Sequence, residues 1–329
     1  MQCSKVIHAV MLGLFALSLA LVPACNTAKP YRETTVHRGW NPFLRPARTN
    51  PADQLVYAEQ LREAGNIRAA MRQFRALTIF WPQSKEAPTA QYQYAQLLDD
   101  RKDYDKAFEE YQYLVDHYAS MFPYDEVLNR QFTIAVHEMD RKRAKFLFLP
   151  GFSAPERAIP MLSNIVTNGP NWAKAAETQY LIGRAHELAL DYEEAVAAYL
   201  TAQNRYPDSL FAEQACFGMV RCNYLLADES PNNEEQLETA WAGAVMFVKT
   251  YPKSEQRDAV EKMRDRLFGK RAKAAYDKAY YYDKIARKPK AALLAYDSLV
   301  KLFPQSEWTP TARQRIEILS NIAGEKHAK

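Results

Sequence analysis

Glycine is scarce in this sequence, 10 residues in 329, against a usual share of about 7%. That shortage suits long helices joined by few flexible turns. Cysteine is scarcer still, with 4 residues. Two of them, Cys216 and Cys222, stand six apart on a predicted helix. That is about 9 Å along the axis and on different faces, so they do not bridge without breaking the helix. Both read as buried small apolar side chains. Neither charge dominates: 43 basic residues stand against 39 acidic ones, and composition carries no nucleic-acid signature. Catalytic signatures are missing as well. His137-Glu138 and His186-Glu187 lack the second histidine four residues on that a zinc helix needs. There is no Gly-x-Ser-x-Gly elbow, no glycine-rich phosphate loop and no Cys-x-x-Cys pair. Adjacent carboxylates such as Asp99-Asp100 and Glu109-Glu110 do not share a helix face and read as surface charge. No catalytic residue, metal site or cofactor is expected.

What the chain has instead is a recurring spacing: an alanine, an aromatic or aliphatic residue four on, an apolar residue at seven, and usually a proline at twelve. It reads Ala70, Phe74, Leu77, Pro82, then Ala107, Tyr111, Leu114 with Ala119 in the proline's place. It continues as Ala158, Leu162, Ile165, Pro170 and as Ala195, Tyr199, Ala202, Pro207. The last two are Ala240, Ala244, Phe247, Pro252 and Ala292, Tyr296, Leu299, Pro304. Twelve residues before three of these alanines stand Ala58, Ala95 and Gly183. This is the spacing of tetratricopeptide repeats, in which two antiparallel helices cross at small residues and proline ends the second. The expectation is an all-α fold, a tetratricopeptide-repeat helical solenoid of about six helix pairs over 51–323. Such units stack to build an extended binding surface, and Tyr92, Tyr180 and Arg184 are its candidate groove-binding residues. Four units end on a shared tetrapeptide: Trp81-Pro82-Gln83-Ser84, Tyr206-Pro207-Asp208-Ser209, Tyr251-Pro252-Lys253-Ser254 and Phe303-Pro304-Gln305-Ser306. The aromatic anchors the second helix, the proline stops it, and the serine is placed to N-cap the next helix.

The N-terminus reads as an address. Lys5 gives a positive start, an apolar run covers 9–22, and Val22-Pro23-Ala24-Cys25 follows. The run is short for a membrane span, which needs about 20 residues, and fits a signal peptide over 1–24. The closing four residues resemble a bacterial lipobox, which makes Cys25 the candidate lipidation site; the alternative is an ordinary secretory cut after Ala24. Asn26 follows, where Asp would mark inner-membrane retention, so the expected destination is the periplasmic face of the outer membrane, held by a lipid anchor. Residues 25–50 show no helical period and read as an extended basic tether.

Two segments interrupt the repeats. The stretch 141–152 runs from basic to aromatic, and Phe146, Phe148 and Phe152 form a candidate insertion-loop contact, either with a partner or membrane or folded onto the solenoid. The stretch 228–235 is acidic and reads as a solvated loop lengthening the fifth pair. Further on, ten basic residues crowd 264–290 with only Asp265, Asp277 and Asp283 against them, interleaved with Tyr276, Tyr280, Tyr281 and Tyr282. Such a segment suits an acidic protein partner.

A lipobox followed by tetratricopeptide repeats resembles the BamD (ComL/YfiO) lipoproteins of the outer-membrane β-barrel assembly machinery. The likeness is strongest over 263–311: a helix reading Met263-Arg264-Asp265-Arg266-Leu267, the pair Tyr280-Tyr281, a basic turn, Ala291-Ala292, and Leu302-Phe303-Pro304-Gln305-Ser306. The family's Phe/Gly-containing insertion is matched loosely by 146–152. The chain departs from the family in holding about six helix pairs where five are usual, and in Lys288-Pro289 where an Arg-Gly turn is common. The resemblance implies a non-catalytic scaffold with no cofactor. Its C-terminal repeats would dock the barrel-inserting outer-membrane protein, alongside other assembly lipoproteins, through Arg264, Arg266, Tyr280, Tyr281 and Arg287. Its N-terminal repeats would receive unfolded outer-membrane proteins. The alternative is a periplasmic adaptor linking the outer membrane to peptidoglycan or cell-division proteins. Leu55 and Glu59 stand at first-repeat groove positions where a carboxylate clamp would need Lys and Asn, which disfavours capture of acidic C-terminal peptides.

Overall fold

The computed structural model describes residues 44–141 and 154–327. Among them are thirteen α-helices and no strand. In chain order they are α1 Pro51–Glu63, α2 Ile67–Phe80, α3 Ala87–Asp100, α4 Tyr104–His117, α5 Tyr124–Asp140, α6 Ala158–Asn168 and α7 Ala175–Leu188. The rest are α8 Tyr192–Arg205, α9 Ala212–Glu229, α10 Glu234–Thr250, α11 Arg257–Tyr280, α12 Pro289–Leu302 and α13 Thr309–His327. Each packs against the helix before it and the helix after it, so the described residues form six antiparallel pairs closed by a single helix. This is the expected all-α repeat solenoid.

The repeat alanines explain the close crossings. Ala70, Ala107, Ala158, Ala195, Ala240 and Ala292 are all fully buried, as are Ala58 and Ala95 on the preceding helices. The residues four further on, Phe74, Tyr111, Leu162, Tyr199, Ala244 and Tyr296, are equally inaccessible. A second device was not visible in the apolar pattern. Buried glutamines on the first helix of a pair donate across to the second, 19 residues on: Gln54 to the Gln73 carbonyl at 3.1 Å, Gln91 to Glu110 at 3.0 Å and Gln179 to Ala198 at 3.4 Å. Each satisfies a side-chain amide that would otherwise be buried at a cost.

Within three pairs the reversal between helices has one geometry. Gly65, Lys102 and Leu190 take positive φ, at 74°, 62° and 67°, and the next backbone N–H reaches five residues back to Leu61, Leu98 and His186. That is the C-terminal cap in which a left-handed residue satisfies the orphaned carbonyls. Only one of the three is glycine. Low glycine content therefore reflects non-glycine residues accepting left-handed backbone, at roughly 1 kcal/mol each, as well as long helices.

The tetrapeptides hold one surprise. Their aromatics end the second helices as anticipated, each donating its N–H four residues back. The serines, however, are not N-caps. Their own N–H groups close turns onto the aromatic carbonyls, all at 3.1 Å, and the next helix begins three residues later. The Ser84 hydroxyl finds no partner among the described residues, and that of Ser254 accepts only from Gln256 N–H, at 3.0 Å. Aromatics that end second helices also stitch successive turns: the hydroxyls of Tyr118, in the unit without the tetrapeptide, and Tyr206 donate to the carbonyls of Pro82 and Pro170, at 3.1 and 2.9 Å.

The acidic stretch is shorter as a loop than its composition suggested. α9 runs on to Glu229, and Asn233 caps α10 by accepting from Gln236 N–H at 3.1 Å. The extra residues lengthen the two helices to 18 and 17 residues, against 14 for the helices of the fourth pair. Their carboxylates face α11, and that contact shapes the candidate site.

Candidate functional site

Tyr199 sits in a slot made by two glycines. A Cβ on Gly183 of α7 or on Gly218 of α9 would lie 2.5 Å from the Tyr199 ring. The ring is therefore clamped between neighbouring repeats, and its hydroxyl is aimed at Glu187, donating to Oε2 at 2.7 Å. Arg221 of α9 grips both oxygens of the same carboxylate. Burial pushes Glu187 upward, but hydrogen bonds from Arg221 and Tyr199, with the charges of Arg221 and Arg184, hold it below its ordinary value. The motif returns in the sixth pair. Arg315 of α13 forks onto Asp283 at 2.8 and 3.0 Å, and the Tyr296 hydroxyl lies 3.4 Å away. A looser form occurs in the second pair, where Arg130 reaches Asp99 at 3.4 Å and the buried Tyr111 hydroxyl has no partner among the described residues. There burial dominates and Asp99 lies above its ordinary value. A carboxylate saturated by arginine and tyrosine is a structural tie, with neither a free base nor an acid to offer. The signal was in the sequence, as an acid 12 or 13 residues before the repeat tyrosine, but apolar periodicity does not report it.

The groove candidates occupy matching places in separate repeats. Tyr92 and Tyr180 are half-buried on the first helices of their pairs, tilted against Tyr111 and Tyr199 at ring distances of 6.3 and 5.8 Å. Tyr180 also stacks on Phe211 at 5.6 Å. It lines a cavity of about 530 Å³ with Phe217, Arg221, Glu213, Lys253 and Gln256. Arg184 is half-buried beside the Glu187 tie, outside that lining. Tyr92 lies two repeats away.

At the C-terminal end α11 does not stop at Tyr280 but widens into a π-turn, Tyr281–Ile285. Such turns shift the helical register by one residue. Here Asp283 is brought inward, its side chain only 5% exposed, while Tyr280, Tyr281 and Ile285 remain exposed. Arg287 is exposed too, at φ 49°. Arg264 is paired with Asp265 at 2.9 Å and with Glu261 at 3.8 Å. Arg266 is exposed and has no ion pair among the described residues.

Much of the basic run is neutralised from within. Lys270 pairs with Asp228, Arg271 with Glu238 and Lys278 with Glu234, so the acidic ends of α9 and α10 meet the basic face of α11. Arg271 also lies over the Trp241 ring at 4.2 Å. The cations left for a partner are fewer than composition implied: Arg266, Arg287, Lys288 and Lys290 are exposed without an ion pair among the described residues. Cys216 and Cys222 are free and buried, as anticipated, and burial pushes the Cys222 thiol up to about 12.

Cys25, the tether up to residue 43, and the insertion residues Phe146, Phe148 and Phe152 lie outside the described residues. Among those described, no helix is long and apolar enough to cross a membrane, and no cluster of ligands could hold a metal ion.

Residues 173–327 match the family model described as "YfiO: Outer membrane lipoprotein". This stretch, just under half of the chain, is similar to the YfiO (BamD) family. It includes the glycine-clamped Tyr199 and the whole π-turn surface. No curated protein matches the chain. Similar solved structures include the C-terminal part of a TPR repeat-containing protein from Cytophaga hutchinsonii, 14% identical, covering 81% of this chain and 88% of that one with a TM-score of 0.34. MamA from Desulfovibrio magneticus is 15% identical, covering 64% and 99% with a TM-score of 0.31. PilF from Pseudomonas aeruginosa is 12% identical, covering 80% and 96% with a TM-score of 0.28.

Proposed function

We propose that this protein is a non-catalytic, lipid-anchored scaffold of the outer-membrane β-barrel assembly machinery, on the periplasmic face of the outer membrane. The observation that carries the reading is the match of residues 173–327 to a family of outer membrane lipoproteins, a family not known as enzymes. Cys25 carries the lipid. The C-terminal surface docks the barrel-inserting protein, with Arg266, Arg287, Tyr280 and Tyr281 in contact and Arg264 held ready by its own ion pairs. The exposed tyrosines beside unpaired cations support this, since such surfaces combine apolar area with steering charge. The earlier repeats receive unfolded outer-membrane proteins, with Tyr92 and Tyr180 as aromatic contacts. Crosslinking in solubilised outer membrane followed by pull-down tests the reading. A large barrel protein and other assembly lipoproteins are the expected captures. Peptidoglycan or cell-division proteins in their place would transfer the chain to the adaptor class. Cys25→Ser should release the protein from membranes and abolish fatty-acid labelling.

A further inference from the structure

Among the described residues a second cationic cluster lies at the opposite end, and it is not neutralised. Arg68, Arg72 and Arg75 stand on α2 at spacings of four and three, which puts them on one helix face. Arg101, from the reversal between α3 and α4, and Lys106 of α4 join them around one cavity of about 500 Å³. The single carboxylate in its wall, Asp103, is already engaged by Lys106 at 2.7 Å. None of the four arginines has an ion pair among the described residues. The other lining side chains are apolar or aromatic: Leu44, Tyr94 and Leu98, all buried, and the partly buried Met71. Four guanidinium groups converging on one space repel one another, a cost that α11 avoids by facing acids and that this cavity does not.

We propose that this cavity binds the phosphate groups of anionic membrane lipids. Guanidinium forks match phosphate oxygens two at a time, and several of them satisfy a phosphodiester from different sides. Those apolar side chains suit the glycerol and first methylenes of a lipid better than a fully hydrated ion. Position favours the membrane as the source. Leu44 is buried at the cavity, and the segment after it is fastened over α1 and α2, with Ala47 N–H donating to Gln73 at 3.1 Å and Arg48 N–H to Gln54 at 2.9 Å. The chain that leads back to Cys25 therefore leaves from the wall of the cavity. Leu44 stands nineteen positions after Cys25 in the sequence, a reach of at most about 65 Å when fully extended. The choice of membrane rests on the proposed lipid anchor at Cys25; the phosphate chemistry does not.

The test uses the full chain carrying Cys25→Ser, so that no acyl group contributes, titrated calorimetrically with three soluble probes: dihexanoyl phosphatidylglycerol below its micelle concentration, dihexanoyl phosphatidylcholine, and inorganic phosphate. Binding of the anionic lipid, with little for the other two, is the expected result. Arg72→Gln with Arg75→Gln and Arg101→Gln should weaken that binding about 100-fold, at roughly fivefold per arginine. The control removes three exposed cations at the far end, as Lys262→Gln, Lys288→Gln and Lys290→Gln, and should leave lipid binding unchanged. Equal loss in the control would reduce the effect to general surface charge and overturn the site. Phosphate binding as tightly as the anionic lipid would overturn the membrane as its source. Absence of any binding would overturn the proposal outright. If the triple variant does not fold, Arg72→Gln and Arg101→Gln singly must each give about a fivefold loss. Membrane release by Cys25→Ser is scored separately, so failure of the anchor and failure of the cavity are distinguishable.

Discussion

The residue that binds one repeat to the next is Tyr199, and its environment can be tested from both sides. Gly218→Ala would place a methyl group 2.5 Å from the ring. The ring is held at its hydroxyl by Glu187 and cannot slide away freely. A loss of about 1–3 kcal/mol is expected, read as a lower urea midpoint, with an unchanged midpoint showing that the slot has slack. The carboxylates give a sharper contrast. Glu187 lies below its ordinary value of 4.5 when folded. Its contribution is therefore fully present above that ordinary value and is lost as pH falls through the folded one. Glu187→Gln should cost about 1.5–3 kcal/mol at neutral pH and flatten the acid limb of the stability curve. Asp99 lies above its ordinary value of 3.8, so its sign is opposite: folding is penalised as pH rises through that window. Asp99→Asn should be neutral or slightly stabilising at pH 7. Equilibrium unfolding across pH checks both, and parallel behaviour of the two variants would refute the assignment.

At the scale of elements, the long helix α11 is fastened by charge on one side and by packing on the other. Lys278 and Glu234 are both largely exposed, so their ion pair contributes little and fades with salt. Arg271 is different. It is 17% exposed, pairs with Glu238, and lies over Trp241 and Phe303. Arg271→Lys keeps the charge but loses the flat guanidinium on the indole, with an expected cost of about 1 kcal/mol. Lys278→Ala should cost less than that. Thermal unfolding of the two variants in low and high salt decides the matter: salt should erase the Lys278 effect and leave most of the Arg271 effect. These contacts also explain why charge density along one segment overstated the surface left for partners. The acids that neutralise α11 come from α9 and α10, more than 30 residues earlier in the chain.

For the whole molecule the question is where a partner sits on a stack of similar units. Each repeat contacts mainly its neighbours, so a change at one end should leave the other end intact. Arg266→Glu tests the C-terminal end. Arg266 has no ion pair among the described residues, and both residue types favour helix, so the fold should survive. If Arg266 enters a desolvated contact, capture of the barrel-inserting protein should weaken by roughly 2–5 kcal/mol, and Lys290→Glu by much less. Equal, salt-sensitive losses would indicate diffuse steering. Undiminished pull-down with a folded Arg266→Glu protein would move the docking site elsewhere.

The repeat class was legible because it is written in nearest-neighbour terms. Six buried alanines at crossings, the residues four positions on and the helix-ending prolines depend only on spacing along the chain, and they predicted the helix pairs and where their second helices end. The C-terminal family likeness rested on the same local runs. Local pattern could not reveal which charges meet. That the acids of 228–238 would neutralise α11, that Gly218 would close a slot around a tyrosine 19 residues earlier, and that three arginines of α2 would face a fourth from the α3 to α4 reversal are facts of stacking. Electrostatics and close packing act through space over a few ångströms, whatever the separation in sequence. The chain therefore determined its own architecture, and the tertiary structure decided which of its charges remain free to bind.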